Sequence, residues 1–124
     1  VRWIVDGLNV IGTRPDGWWK DRHGAMVRLV AMLERFTTET DEDVTVVFEQ
    51  PPSPPIDSTL IEVAHAPRAR PDAADEEIVR RLSADPHPER IRVVTSDRRL
   101  ADQARAAGAA VEPAASFRTR LEAL

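Results

Sequence analysis

The sequence predicts an α/β domain: a central, mostly parallel sheet with helices packed on both faces, in three α/β/α layers. Two observations carry that expectation. Three short runs, Trp3-Ile4-Val5, Val44-Thr45-Val46-Val47-Phe48 and Ile91-Arg92-Val93-Val94, are close to continuously apolar and rich in β-branched residues, as strands covered on both faces must be. Between them lie stretches of helical periodicity, so that elements alternate β-α-β-(β)-α-β-α-β-α, the pattern of parallel strands joined by crossover helices.

The elements follow in order. Arg2–Val5 reads as the first buried strand. Residues 7–21 hold Gly7, Gly12, Pro15 and Gly17 and read as a loop or a short helical turn. Arg22 to about Thr38 reads as a helix, with Met26, Val27, Val30, Ala31 and Leu33 on its apolar face. A polar connection over 37–43 leads to the second strand, Val44–Phe48. Residues 50–57 contain four prolines and form an irregular loop. Leu60–Ala64 reads as a short strand near an edge. Pro71-Asp72 opens a helix running to about Ser83, with Asp72 a good N-cap. Pro86 and Pro88 punctuate the next loop, and Ile91–Thr95 is another buried strand. Arg98–Ala107 is a helix closed by Gly108, a residue suited to the C′ position. Ala110–Glu112 is a short last strand, and Ser116–Leu124 a last helix.

With 124 residues the chain reads as one domain over 1–124, large enough to bury a core unaided. The absence of Cys excludes a disulfide framework, a zinc-thiolate site and a thiol nucleophile, and fits a reducing cytoplasm. No signal peptide and no apolar run of membrane-spanning length is visible. The net charge of −4 is unusual for a nucleic-acid binder. Paired arginines at 68 and 70, 80 and 81, 98 and 99, and 118 and 120 nevertheless allow a basic rim on an acidic protein.

The acids fall at telling places. Asp6 ends the first strand, Glu49 ends the second, and Asp97 closes the fourth. The carboxyl ends of strands line the ligand crevice of an open parallel sheet. Carboxylates gathered there repel unless a cation, a proton or a basic partner offsets them. Their oxygens suit a hard divalent ion such as Mg²⁺ or Mn²⁺. Asp75 adds a fourth acid, because Asp75, Ile78, Val79 and Leu82 stand at i, i+3, i+4 and i+7 on one helix face and bring it inward. Glu76 and Glu77 fall elsewhere and pair with Arg80 and Arg81 on a solvated face. These positions predict a metal-dependent phosphodiesterase. The bland readings are a helix-dipole role for Asp75 and helix capping for Ser96 or Asp97.

Around these acids, Gly7 permits close approach and Asn9 offers a donor to a phosphate or a water. Ser96 lies at a helix N-terminus, a natural anion site. Arg68, Arg70, Arg98 and Arg99 are candidates to grip backbone phosphates.

Four segments, Val5-Asp6-Gly7-Leu8-Asn9-Val10-Ile11-Gly12, Val46-Val47-Phe48-Glu49, Ala74-Asp75-Glu76-Glu77-Ile78 and Val94-Thr95-Ser96-Asp97, together resemble the NYN domains. The resemblance is to their YacP-like branch, relatives of the PIN-domain nucleases, and covers nearly the whole chain. It implies a PIN-like (Rossmann-like) fold and an endoribonuclease that uses one or two Mg²⁺ or Mn²⁺ ions. Family roles carry over to Asp6, Asn9, Asp75 and Asp97 as catalytic positions, with Asp6, Asp75 and Asp97 as metal ligands. Glu49 departs from the pattern, since relatives commonly carry Asp after this strand; a Glu can still ligate, with its oxygen displaced by one methylene. The chain ends soon after its last helix, so no appended RNA-binding domain is expected within it. The implied partner is RNA, single-stranded by expectation; neither a ribosome nor a protein partner nor an oligomeric state is specified.

Several features invite other readings. Trp18-Trp19 suits either base stacking or packing of the loop on the core. His23, His65 and His87 lack metal-ligand spacing, and His65 is the one expected nearest the site. The prolines at 51–55 are expected to shape a wall of the cleft. The alternative function is a catalytically inactive RNA-binding or scaffold domain that has kept the fold. A haloacid-dehalogenase-type phosphatase wants a second Asp where Leu8 stands. A receiver domain wants a late Lys, and Lys20 is the only one. A dinucleotide-binding domain wants a Gly-rich turn that residues 6–12 lack.

Overall fold

A computed structural model describes all residues, 1–124. Five strands, β1 (Arg2–Asp6), β2 (Asp43–Phe48), β3 (Glu62–His65), β4 (Ile91–Val94) and β5 (Ala110–Glu112), form one sheet in the order β3-β2-β1-β4-β5. Every neighbouring pair is parallel. The helices are α1 (Gly7–Ile11), α2 (Arg22–Thr40), α3 (Ala73–Ala84), α4 (Arg98–Ala106) and α5 (Ala114–Glu122), with single 3₁₀ turns at Trp18–Lys20 and Pro88–Arg90.

Alternation along the strands divides the core in two. Trp3, Val5, Val44, Val46, Phe48 and Val94 join one cluster with α1, α2 and α5. Ile4, Val47, Ile91 and Val93 join the other with α3 and α4. Successive strand residues face opposite layers, and both layers are dry, which is why these strands carry almost no polar residue. The chain direction reverses its march across the sheet at β1. From β1 it builds outward through β2 and β3, then returns to add β4 and β5 on the other side. The crevice between the carboxyl ends of β1 and β4 is therefore the switch point at which such sheets bind ligands.

Some boundaries differ from expectation, each for a local reason. Of the two forms expected for 7–21, residues 7–11 take the helical one. The α2 stripe is Ala25, Met26, Leu29, Val30, Leu33 and Phe36; Val27 is 44% exposed and Ala31 is exposed, so neither belongs to it. That helix continues through the polar Thr37–Thr40 because the Thr38 and Thr40 hydroxyls bond back to the carbonyls of Glu34 and Phe36 and Asp41 closes it in the left-handed region. β3 begins two residues late: Leu60 is exposed, and Ser58 Oγ accepts from the amides of Leu60 and Ile61, holding them in a turn. It is an edge strand, as expected. α5 starts at Ala114, whose amide donates to Ser96 Oγ.

The largest correction concerns α3. Asp72 precedes it with φ 62° and makes no capping bond, because the left-handed backbone turns its side chain away from the helix amides. Glu77 is buried rather than solvated. It accepts from Arg80 Nε at 2.8 Å and Arg81 Nε at 2.8 Å, while Glu76 pairs with Arg70.

Candidate active site

The switch point is built where the carboxyl ends of β1 and β4 meet the starts of α1 and α4. Asp6 is the last residue of β1 and is buried. Gly7 follows at once and opens α1. A Cβ there would lie 2.5 Å from Phe48 Cε1 and 3.1 Å from Val46 Cγ2, so only glycine lets α1 start against β2. That tight start carries Asn9 to the crevice, where its Oδ1 accepts from the Ser96 amide at 2.8 Å. On the far side of the crevice, Asp97 Oδ1 accepts from the Leu100 amide at 2.9 Å and caps α4.

Thr95 ties the two sides together. Its buried hydroxyl donates to Asp6 Oδ2 at 3.0 Å and accepts from the Asp97 amide at 3.1 Å. Sequence reasoning assigned Thr95 no role, although it stands in the Thr95-Ser96-Asp97 run.

Asp6, Asn9, Glu49, Asp75 and Asp97 line one pocket, joined by Leu8 and Asp72. All four expected acids thus converge with Asn9, and a fifth comes from the position expected to be an N-cap. No basic side chain lines this pocket. Burial pushes the Asp6 carboxyl up to about 7; the charges of Asp75, Asp97 and Glu49 push the same way, and the Thr95 bond pulls back. Asp75 rises to about 6, through burial and then through Asp97, Asp72 and Glu49, with Arg99 opposing. The acids therefore sit closer than their charges favour, although no three of them meet as a ready ligating group.

The other expected residues scatter. Arg99 lines a neighbouring cleft with Asp72, Asp75 and Asp97. Arg70 reaches that cleft too but is paired with Glu76. Arg68 lines a hollow beside Glu76 and Glu77, apart from the acids. Arg98 is exposed at the first turn of α4. Ser96 spends its oxygen on the Ala114 amide and lies outside the pocket. No histidine enters: His23 meets the Pro54 carbonyl, His65 the Ala66 carbonyl and His87 the Glu89 carboxylate. The prolines at 51–55 line neither the acidic pocket nor the two clefts beside it; Pro71 lines the two clefts. Trp18 packs on the core while Trp19 stays 53% exposed.

The family model of the YacP-like NYN domain matches residues 3–124. The chain belongs to this family. Among solved structures, the crystal structure of Rae1 (YacP) from Bacillus subtilis is similar at a TM-score of 0.82 and 24% identity, over 99% of this chain and 74% of that one. The structure of a mutant of the same protein gives 0.82 and 23%, over 98% and 75%. At that identity the likeness shows the fold of this YacP-like NYN domain, the PIN-like fold of a nuclease family. A comparison with curated proteins finds no match. No helix of the domain is long and apolar enough to cross a membrane.

Proposed function

We propose that this domain is a divalent-metal-dependent endoribonuclease that hydrolyses phosphodiester bonds of single-stranded RNA at the acidic pocket. One observation carries the reading. Five carboxylates gather at the sheet's switch point without a basic side chain among them, an arrangement that favours binding a cation. The donor set fits a hard ion, being carboxylate and amide oxygens with no thiol or imidazole. Asp6, Asp75 and Asp97 would hold Mg²⁺ or Mn²⁺, as one ion or two, with Glu49 in reach of the same pocket.

When bound, such an ion supplies charge neutralisation at phosphorus and lowers the pKa of a water for in-line attack. The chain's own residues do the rest. Thr95 fixes the Asp6 carboxylate and, through the Asp97 amide, the opposite wall. Asn9, anchored through its carbonyl oxygen, has its amide NH₂ left to donate to a phosphate oxygen or a water. Arg99, without a carboxylate partner in the structure, balances phosphate charge in the adjoining cleft.

Labelled RNA and DNA of matched sequence, incubated with Mn²⁺, Mg²⁺ or EDTA, test this directly. Cleavage of RNA that needs the metal, and that Asp75→Asn and Asp97→Asn abolish while their circular dichroism stays native, is the expected result. Wild-type rates in Asp75→Asn would remove that residue from the mechanism. Binding of RNA without cleavage under any metal would make the domain an inactive RNA-binding module instead.

A further inference from the structure

We propose that the cleft floored by Leu8, Met26 and Phe48 is a seat for one unstacked nucleobase of the bound strand, next to the phosphate held at the acids. The proposal rests on the endoribonuclease reading and adds to it a base-recognition subsite.

Two clefts flank the acidic pocket, and they differ in chemistry. The one toward α4 is walled by Arg70, Arg80 and Arg99 together with Asp72, Asp75, Glu76 and Asp97, with one hydrophobic residue, Val79. Arg70 and Arg80 are already paired with Glu76 and Glu77, so Arg99 is the arginine there left to meet a sugar-phosphate backbone. The other has a volume of about 530 Å³, within the range of about 300–1,000 Å³ common to small-ligand sites. Leu8, Met26 and Phe48 give it an apolar floor, and the loop Ala69–Asp72 forms its outer wall. It shares Leu8, Glu49 and Asp72 with the acidic pocket, so a strand with a phosphate among the acids places a neighbouring base within reach of it.

Its rim carries groups that a base or its phosphate can use. Arg22 makes no salt bridge; its guanidinium carbon lies 5.2 Å from the centre of the Trp18 ring, which holds the cation in place without neutralising it. Gln50 is exposed at the edge, and its amide offers both donor and acceptor to a base edge. An apolar floor with an amide and an arginine at the lip is the chemistry by which proteins take splayed bases from single strands. A neutral or acidic peptide would bring no counter-charge to the shared carboxylates Glu49 and Asp72, whereas under the proposed reading an RNA strand would arrive with the ion that neutralises that side.

Nucleosides test the seat apart from cleavage, because they carry no phosphate and need no metal. The metal-free protein is titrated with adenosine, guanosine, cytidine and uridine while the Met26 methyl and the Gln50 side-chain amide are followed by NMR. At least one nucleoside is expected to shift both signals in a saturable way. Ala69→Trp, which fills the cleft from an exposed loop position, should abolish those shifts, and Gln50→Ala should weaken them at least about threefold, with melting temperatures unchanged. Both variants should also raise KM for RNA more than they lower kcat. No saturable shift with any of the four nucleosides, or shifts that survive Ala69→Trp, would overturn the seat. Cleavage by the wild type would then stand on the metal and Asp75 assays alone. If instead nucleosides bind and RNA is never cut, the seat holds and the nuclease reading falls.

Discussion

Asp6→Asn should make the metal-free protein more stable while destroying its proposed activity, and the gain should grow with pH. The carboxyl of Asp6 is pushed from 3.8 to about 7, chiefly by burial and next by Asp75. A carboxyl whose pKa rises on folding penalises the native state wherever the unfolded chain has already lost its proton. Below about pH 4 both states hold the proton and nothing is lost. Between about 4 and 7 the unfolded chain ionises first, and stability falls as pH rises. Above about 7 both states are ionised and the penalty levels off. A shift of about three units corresponds to about 4 kcal/mol at that plateau. Asparagine carries no charge, so it escapes the penalty. It also keeps the structural contact, because its carbonyl oxygen can accept the Thr95 hydroxyl that now donates to Asp6 Oδ2. No helix cap is lost, since the Asp6 side chain caps nothing in α1.

The assay is urea denaturation with EDTA present, for wild type and variant, at about pH 4 and about pH 8. The expected gain is near zero at the acidic end and about 2–4 kcal/mol at the basic end, or roughly 8–15 °C in melting temperature for a domain of this size. Adding Mn²⁺ at about pH 8 should stabilise the wild type and leave the variant nearly unmoved, which reverses their order. A variant that loses stability at pH 8, or gains equally at both pH values, would refute the assignment of Asp6 as the acid that folding strains.

Three further substitutions have readable outcomes. Thr95→Val removes a buried donor to Asp6 and the acceptor of the Asp97 amide; it should cost about 1–3 kcal/mol and raise the Asp6 pKa further, followed by carboxyl NMR titration. Gly7→Ala drives a methyl into the Phe48 ring and should cost about 1–3 kcal/mol in chemical denaturation; an unchanged midpoint would show that α1 can move freely. Glu77, held down to about 2 by hydrogen bonds first from Arg80 and then from Arg81, contributes stability that is present above its usual pKa and lost as pH falls toward about 2. Glu77→Gln should therefore cost about 1–2 kcal/mol near neutral pH, discounted for the exposure of Arg80, and the gap to wild type should close by about pH 2.

What was legible in the sequence was what local pattern encodes. Apolar runs gave β1, β2 and β4, because strands buried on both faces leave no room for polar residues. Their acids could be placed at the crevice because a strand's end is visible in the chain. The inward turn of Asp75 followed from helical spacing. Less legible were features set by contacts between distant segments. Asp72 has the composition of an N-cap, yet its backbone adopts φ 62° and its side chain joins the acids. Glu77 matches an exposed i, i+4 pair, yet burial against the sheet turns it into a structural anion. Ser96 and Arg68 were reasonable phosphate contacts by position; only the tertiary structure shows the first committed to Ala114 and the second facing another hollow.

The carboxylates of the acidic pocket divide into two that the scaffold hydrogen-bonds and three that it does not. Asp6 is held by Thr95, and Asp97 by the Leu100 amide. Both bonds come from the scaffold that also closes the β1–β4 crevice, so repulsion cannot separate these two acids without opening the fold. The carboxylates of Asp75, Glu49 and Asp72 accept no hydrogen bond from the protein, and each stands on its own segment: the first turn of α3, the end of β2, and the loop before α3. No hydrogen bond therefore fixes these three side chains, and under the proposed reading a bound cation would draw them together. The departure at Glu49 fits this arrangement. Under the proposed reading, Glu49 would reach the ion through a side chain that no hydrogen bond fixes, so its extra methylene would be taken up by the choice of rotamer. The strain is largest on Asp6, the acid of this pocket that is both buried and hydrogen-bonded by Thr95, and smaller on Asp75, so it is at Asp6 that neutralising a single charge should be felt most strongly by the fold.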